Sequence, residues 1–379
     1  MKNIKKTVYI YGLANSVSDV KNSTADTLND NEFLDFAISK LPRIFQNSKV
    51  FKLLGLNRLF KKYLYVENRY LTFDATERMK KILKKEIVPN IEDSDNSVYE
   101  PSLKLSLQSS REALREWGGN VQDITHIIYV SSTGFQDISL DLIRQLGLRH
   151  DVEKIPMIFQ SFQCGLTALK LSEQLARLNP KNRILLVVTE MFMNHLQFDS
   201  IDKPTFIMNL ILGDGSASLV IGSPSEISYE SKPIFELFPV QSRTIPNSQE
   251  DLGIILKNNN SLITFTNRLQ VKISASLLPF AKTLVDKCTI PLPSNNLNNF
   301  EYILHTGPYF VLRANSKVTK KDLRYSKDVL RKYGHVCACS AFFVLNESRN
   351  SKYPWKNDYG FIMAFGCGII AEGAIIKKL

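Results

Sequence analysis

The chain has 379 residues, of which 44% are hydrophobic and 22% are charged. This composition excludes long disorder, and the length predicts one large layered unit or two fused halves. The net charge of +11 would suit an acidic partner, but the basic residues do not alternate with aromatic ones, so we expect no nucleic-acid partner.

The cysteines and the apolar runs predict the compartment in which the protein is found. No run approaches ~18 uninterrupted apolar residues, so we expect no membrane-spanning helix. The five cysteines are an odd number without a secretory signal, which indicates reduced thiols in the cytoplasm. Because Cys337 and Cys339 lack a second pair or a histidine run at zinc spacing, we expect neither a metal nor another cofactor.

In chain order, apolar periodicity predicts strands alternating with helices. Strands are predicted at residues 8–11, 126–130, 157–160, 183–189, 217–221, 302–305 and 360–365. Helices are predicted at residues 27–44, 79–85, 102–117, 140–146, 166–178, 271–285 and 327–333, and residues 341–345 are predicted to be buried. Short turns between buried strands favour a mostly parallel sheet.

The second half of the chain repeats this alternation of strands and helices. Pro224 follows the strand predicted at residues 217–221 and marks a boundary near the middle of the sequence. We therefore predict an N-terminal half at residues 1–224 and a C-terminal half at residues 225–379, packed as one compact α/β unit.

Residues 160–171 are typical of a strand that passes into a helix through a turn that presents a nucleophile. Cys164 is the local candidate, because free N–H groups and the helix dipole stabilise a thiolate at a helix N-terminus. This interpretation depends on which residue stands at the tip of the turn.

A series of short motifs relates the chain to a known family. They are Glu116-Trp-Gly, Ile124-Thr-His-Ile-Ile, Leu146-Gly-Leu-Arg, Leu212-Gly-Asp-Gly-Ser-Ala, Leu304-His-Thr-Gly, Lys332-Tyr-Gly-His, Phe343-Val-Leu-Asn-Glu and the segment from Gly360 to Gly368. In their order and spacing, the chain resembles the chalcone synthase-like type III polyketide synthases, which have the thiolase fold. The resemblance implies a duplicated αβαβα architecture of five layers.

The resemblance also implies a catalytic set of cysteine, histidine and asparagine. The histidine matches His305, and the asparagine position holds His335, whose neutral N–H group can donate to the same thioester oxygen. Counting without gaps from Leu146 and backward from Gly165 places the cysteine position at Phe162. The family's acyl-accepting thiol is therefore expected to be missing.

Two other thiols remain as substitutes. Cys164 lies two residues beyond the expected position, which turns its side chain by about 200° around a helix. Cys367 lies in a Phe365-Gly-Cys-Gly segment that matches a glycine-rich loop beside the family's active site. The resemblance further places substrate or coenzyme A contacts at Lys49, Lys52, Leu212, Phe265, Gly307 and Gly366.

The residues leave open whether the protein is an enzyme. The first interpretation is a non-condensing subunit of polyketide or acyl-derived natural product biosynthesis, which pairs with an active homologue or binds acyl-CoA or an acyl carrier protein. The second is an active acyltransferase or a malonyl-thioester decarboxylase that uses His305 and His335, with Cys164 or Cys367 as substitute nucleophile. The third is a scaffold without a ligand. We expect a homodimer, or a heterodimer with the homologue.

Overall fold

A computed structural model of the protein describes residues 7–23, 65–74, 77, 81, 86, 91–192, 203–224, 232–257, 260–288 and 290–379. Within these residues the chain forms fourteen strands and eight α-helices. The strands are β1 (Val8–Val17), β2 (Val20–Ser23), β3 (Asn68–Leu71), β4 (His126–Ser131), β5 (Glu153–Ile158), β6 (Arg183–Glu190), β7 (Gly215–Gly222), β8 (Phe235–Leu237), β9 (Gln241–Thr244), β10 (Leu252–Lys257), β11 (Asn260–Phe265), β12 (Glu301–Leu304), β13 (Tyr359–Gly366) and β14 (Ile370–Lys378). The helices are α1 (Ile91–Trp117), α2 (Ser139–Leu146), α3 (Cys164–Leu178), α4 (Lys203–Ile211), α5 (Leu269–Asp286), α6 (Tyr309–Thr319), α7 (Arg324–Tyr333) and α8 (Ser340–Asn350).

Ten of the strands form one sheet in the order β12-β13-β14-β8-β1-β7-β6-β4-β5, with β9 paired to β14. The two halves of this sheet repeat one pattern of pairing. In the first half β4 is parallel to β6, and β7 and β1 follow in antiparallel orientation. In the second half β12 is parallel to β13, and β14 and β8 follow in the same way. The pairing of β1 with β8 joins the halves.

Three clusters of buried side chains divide the protein into five layers. One cluster packs α1 and α2 against one face of β4, β6 and β7. A second joins the opposite face of these strands to α3, α8 and one face of β12, β13 and β14. The third packs α5 and α6 against the remaining face of β12 and β13. The layers are therefore helix, sheet, helix, sheet and helix, as the sequence predicts.

Most of the predicted elements within the described residues are confirmed to within a few residues at each end. The strand expected at residues 157–160 instead occupies Glu153–Ile158, because β5 is an edge strand whose exposed charged residues and proline hide its apolar pattern. The expectation of a mostly parallel sheet is wrong. Only the pairings β4–β5, β4–β6 and β12–β13 of this sheet are parallel, and the other six are antiparallel.

Some predictions fall on parts of the chain that the structure does not describe. The helices expected at residues 27–44 and 79–85, and the contacts expected at Lys49 and Lys52, lie wholly or almost wholly outside the described residues. The boundary after residue 224 borders such a segment and stays a prediction. None of the helices in the described ranges combines the length and the apolar character needed to cross a bilayer.

Candidate active site

The turn between β5 and α3 places Phe162 beside a cavity. The turn is held by a hydrogen bond from the Cys164 N–H to the Ser161 carbonyl oxygen at 2.9 Å, and α3 begins at Cys164. The side chain of Phe162 is buried and packs in the cluster formed by α5 and α6. Phe162 therefore occupies the tip of the turn where the sequence places it.

Cys164 faces the other side of the same turn. Its side chain is buried in the central cluster with α8, whereas Phe162 lies in the cluster of the outer helices. Burial raises the pKa of the Cys164 thiol well above its ordinary value, and the carboxyl group of Glu190 adds to this effect. The thiol therefore stays protonated at neutral pH, and Cys164 is not among the described residues that line the cavity beside Phe162.

The cavity is small and mostly apolar, with a volume of about 40 Å³. This space suits a very small group or one or two water molecules, rather than a growing acyl chain. Among the described residues, no thiol lines it. Its lining consists of Phe162, Met208, Leu252, Ile263, Phe265, Leu269, Ile273, His305, Thr306, Gly307, Pro308, Val311, Leu312, Asn315, His335 and Phe365.

His305 follows β12 and is one of the residues that line the cavity. The Phe365 N–H donates to Nε2 of His305 at 3.2 Å. Because a backbone amide can only donate, Nε2 carries no proton in the neutral ring, and the proton is on Nδ1. Nδ1 is buried and has no hydrogen-bond partner among the described residues. Burial lowers the pKa of His305 to about 4, so the ring is neutral at physiological pH.

His335 is fixed from both its backbone and its ring. Its N–H donates to the Ile211 carbonyl oxygen at 2.6 Å, and its own carbonyl accepts from the Gly213 N–H at 3.1 Å. Nδ1 lies 2.9 Å from Thr306 Oγ1 and 3.3 Å from Ser340 Oγ. Burial lowers the pKa of His335 to about 3, with a further contribution from His305. The imidazole is therefore neutral and held in one orientation.

A glycine precedes His335 for a structural reason. Gly334 has a φ of +76°, and a Cβ atom there would lie 2.4 Å from the Ile211 carbonyl oxygen. The left-handed backbone and the close approach both exclude a side chain. Gly334 thus allows the strand-like contact that holds His335 beside Leu212.

The structure brings together the three residues that the sequence assigns to the catalytic positions. The ring centroids of His305 and His335 are 6.1 Å apart, and those of Phe162 and His335 are 6.3 Å apart. Phe265 and Gly307 line the same cavity. The arrangement brings two neutral imidazoles and the aromatic ring of Phe162 to one cavity.

The other predicted positions lie around the cavity without lining it. Leu212 is buried and contacts His335 through its backbone, while Met208 lines the cavity. A Cβ atom on Gly366 would lie 1.4 Å from Gln163 Oε1, so this glycine permits close packing against the turn. Burial raises the pKa of the Cys367 thiol.

Two residues near the site were not identified from the sequence. Sγ of Cys337 lies 3.8 Å from Nε2 of His335, in a buried turn where Cys337 has a φ of +39°. Asn315 lines the cavity from α6 and is 2% exposed. The sequence contains no motif for either contact, although an asparagine among the apolar residues of an amphipathic helix is a signal that could have been noticed.

Comparisons with known proteins identify the family of the chain. The family described as chalcone and stilbene synthases matches residues 46–225 with its N-terminal domain and residues 236–379 with its C-terminal domain. "Probable polyketide synthase 1" of Dictyostelium discoideum is 30% identical over 358 residues, which are 92% of this chain and 11% of that protein. "Type III polyketide synthase B" of Arabidopsis thaliana is 28% identical over 73% of each chain.

A solved structure has the same fold over nearly its whole length. The crystal structure of the C-terminal type III polyketide synthase domain of Steely1, a type I/III hybrid from Dictyostelium, is similar with a TM-score of 0.86 and 27% identity. The match covers 98% of this chain and 99% of that chain. The five-layer thiolase fold predicted from the sequence is thereby confirmed, and the chain belongs to the chalcone and stilbene synthase family of type III polyketide synthase-like proteins.

Proposed function

We propose that this protein is a non-condensing member of its family, which takes part in the biosynthesis of polyketides or other acyl-derived products. It binds an acyl thioester, carried by coenzyme A or by an acyl carrier protein, and forms no acyl-enzyme. It acts as a dimer, either with itself or with an active homologue that supplies the thiol.

The observation that carries this proposal is the position of the Phe162 ring. The ring lies 6.3 Å from His335 between centroids and lines the cavity that both histidines border. Acyl transfer to the enzyme needs a thiolate or another nucleophile at this place. A phenyl ring offers no lone pair, so the condensation cycle cannot begin at this position.

Neither substitute thiol meets the requirements of a nucleophile. Cys164 packs in the central layer, away from the cavity. Cys367 lies in the loop after β13, where its N–H donates to Ser161 Oγ and burial raises the pKa of its thiol. A nucleophilic cysteine needs a lowered pKa and access to its substrate. These surroundings favour a structural role for both residues.

A second function is favoured by the proton on His305 Nδ1. That N–H group is buried and free to donate among the described residues, as an enolate oxygen would require. In this reaction the C–C bond of a malonyl thioester breaks, carbon dioxide leaves, and the electron pair forms an enolate whose carbon then takes a proton from solvent water. A well-placed donor contributes about 3 to 4 kcal/mol to such a step.

One experiment tests both functions. The wild-type protein is incubated with acetyl-CoA and with malonyl-CoA, and the intact protein mass and the released carbon dioxide are measured. We expect no acyl adduct on the wild-type protein, whereas Phe162→Cys should gain one acyl group. Phe162→Ala is the matched control, because it opens similar space without a thiol. An adduct on Cys164 or Cys367 of the wild-type protein would overturn the non-condensing proposal.

The same incubation separates the decarboxylase from the simple binding subunit. If His305 and His335 decarboxylate malonyl-CoA, His305→Ala should lower carbon dioxide release by about a hundredfold. His335→Asn should keep release within about tenfold, because an amide N–H can replace the imidazole donor. Absence of carbon dioxide from the wild-type protein would exclude the second function and leave the first standing.

A further inference from the structure

The exposed side of α6 is basic and contains no acidic residue. Arg313 and Lys317 are four positions apart, so they lie on one face of the helix, and Lys320 follows at its C-terminal cap. All three residues are exposed. In the described part of the chain, none of them lies within ion-pair distance of a carboxylate. Arg313, Lys317 and Lys320, which form the basic face, therefore present three unpaired positive charges to solvent.

Two other surface helices balance their basic residues with acidic ones. On α2, Arg144 pairs with Asp141 at 2.8 Å, and on α5, Lys282 pairs with Asp286 at 3.1 Å. Oppositely charged residues three or four positions apart stabilise a helix surface in this way. Because α6 contains no aspartate or glutamate, it cannot form such a pair within itself. A concentration of one sign of charge attracts partners of the opposite sign.

The helix that carries the basic face also borders the cavity beside Phe162. Val311, Leu312 and Asn315 lie on the opposite side of α6, where they are buried and line the cavity. Because a helix with its side chains is about 10 to 12 Å wide, a partner on the basic face would lie roughly one helix width from the cavity. The basic face is therefore close to the site without being part of it.

We propose that the basic face docks an acidic acyl carrier protein, which brings the acyl thioester on its phosphopantetheine arm. The acidic side chains of the carrier face Arg313, Lys317 and Lys320. Charge complementarity of this kind raises the rate of association and fixes the orientation of the complex. The inference rests on the proposed function, since it names the carrier of the acyl thioester.

Three other anionic partners suit this face less well. At 1.5 Å per residue the three cations extend over roughly 10 Å, which matches several carboxylates of an acidic protein better than one phosphate group of coenzyme A. A single-stranded nucleic acid needs aromatic rings for base stacking, and the exposed positions of α6 hold none. A membrane surface needs a broad apolar face, whereas α6, which is described throughout, exposes one large apolar side chain, Val318, at 36%.

Reversal of charge on the basic face tests the inference. The probe is a free-standing acidic acyl carrier protein in its acetylated form, and its binding is measured by isothermal titration calorimetry at low and at physiological salt. The double variant of Arg313→Glu and Lys317→Glu should weaken binding at least tenfold, because two attractions become repulsions. It should also make binding less sensitive to salt.

The matched control is the double variant of Arg111→Glu and Lys181→Glu. It makes the same change of charge at two exposed positions, one on α1 and one in the turn before β6. The control should bind the carrier within about twofold of the wild type. Arg313→Gln with Lys317→Gln removes the charges without adding new ones and should weaken binding by a smaller factor, so it decides the question if the reversed variant does not fold.

Two further titrations separate the carrier from other anions. Acetyl-CoA and vesicles of phosphatidylcholine and phosphatidylserine are added to the wild type and to the variant with reversed charge. We expect the binding of each to change by less than about twofold. A loss as large as that for the carrier would show that the basic face holds any polyanion, and it would overturn the inference.

The inference is also overturned if the wild type does not bind the carrier at concentrations up to about 1 mM, or if the basic-face variant and its control weaken binding equally. Failure of the proposed function has a different signature. An acyl adduct on a wild-type cysteine would contradict the non-condensing role and leave the selective effect of the charge reversal intact.

Discussion

At the scale of single residues, the site depends on two imidazoles that are kept neutral by burial. The pKa of His305 is lowered to about 4 and that of His335 to about 3, chiefly because the charged rings would lose their hydration. Neutral rings can donate to a thioester oxygen without repelling each other. The same burial links the stability of the fold to pH.

The first prediction is a loss of stability in mild acid. Between the unfolded pKa of 6.5 and the lowered native values, the unfolded state binds more protons than the native state. Stability is therefore fully present above pH 6.5 and falls as the pH drops below it. Each histidine contributes about 2 kcal/mol to the loss between pH 6.5 and about 4.5. His335→Asn should remove that contribution, measured as the free energy of unfolding in urea.

For the wild type and for the variant, the free energy of unfolding in acid is compared with that of the same protein at about pH 8. Both histidines are neutral there in the native and unfolded states. An identical pH dependence in wild type and His335→Asn would show that His335 titrates normally in the folded protein. A steeper loss in the variant would contradict the direction of the shift.

Sequence reasoning located some of the site residues and missed others for physical reasons. Phe162 was predicted by counting without a gap from Leu146 and from Gly165, and the structure places its side chain at the cavity, while its match to the nucleophile position stays a prediction. The contact of Cys337 with His335 depends on a turn with a left-handed residue, which no local pattern indicates. Asn315 reaches the cavity only through the docking of α6, which is a tertiary event.

At the scale of elements, the two central helices pack through a glycine. A Cβ atom on Gly165 would lie 2.4 Å from the Ala338 carbonyl oxygen, at the turn that precedes α8. Backbone contact of this kind sets the distance between α3 and α8. Since Phe162 precedes α3 and His335 precedes α8, the same distance also positions the site.

The second prediction is that Gly165→Ala destabilises the protein although alanine favours helix formation. Overpacking against backbone costs about 1 to 3 kcal/mol, whereas the helix-propensity gain is about 1 kcal/mol. We expect a net loss of up to about 2 kcal/mol in the free energy of unfolding. Gly307→Ala is the matched control, since no neighbour lies within 4 Å of its added methyl group and its stability should change little. Equal stability of Gly165→Ala and wild type would contradict the close approach.

The elements themselves were more predictable than their pairing. The strands β4, β6 and β7 are buried along their whole length, and β4 and β6 contain the continuous apolar runs that such burial favours. Strand direction was not predictable, because β1 pairs with β7 and β8 across about two hundred positions of sequence or more. Periodicity reports that a segment is a strand, but it contains no information about a distant partner.

At the scale of the whole molecule, one edge of the large sheet is open in the described part of the chain. β5 is the last strand of the order and pairs only with β4 among the described strands. Apolar groups lie on this side of the sheet: Phe159 follows β5 and stacks on Phe135 with centroids 4.6 Å apart, and Leu140 is 66% exposed at the start of α2, which contacts the neighbouring strand β4. An unpaired edge with an apolar border is suited to a second subunit.

The third prediction places the subunit contact of the proposed dimer at this edge. Leu140→Lys introduces a charge that would lose its hydration in an interface, so the dissociation constant of the dimer should rise at least tenfold. Sedimentation velocity over a range of protein concentrations measures this change. Val271→Lys is the matched control, because Val271 is 60% exposed on α5 in the outer layer of the other half. Since both variants add one positive charge to an exposed aliphatic position, a general effect of charge would weaken association equally in both.

If both variants weaken the dimer equally, or if Leu140→Lys does not weaken it, the subunit contact lies elsewhere. If only Leu140→Lys weakens the dimer, the β5 edge is the contact surface, and an active homologue must use the same surface.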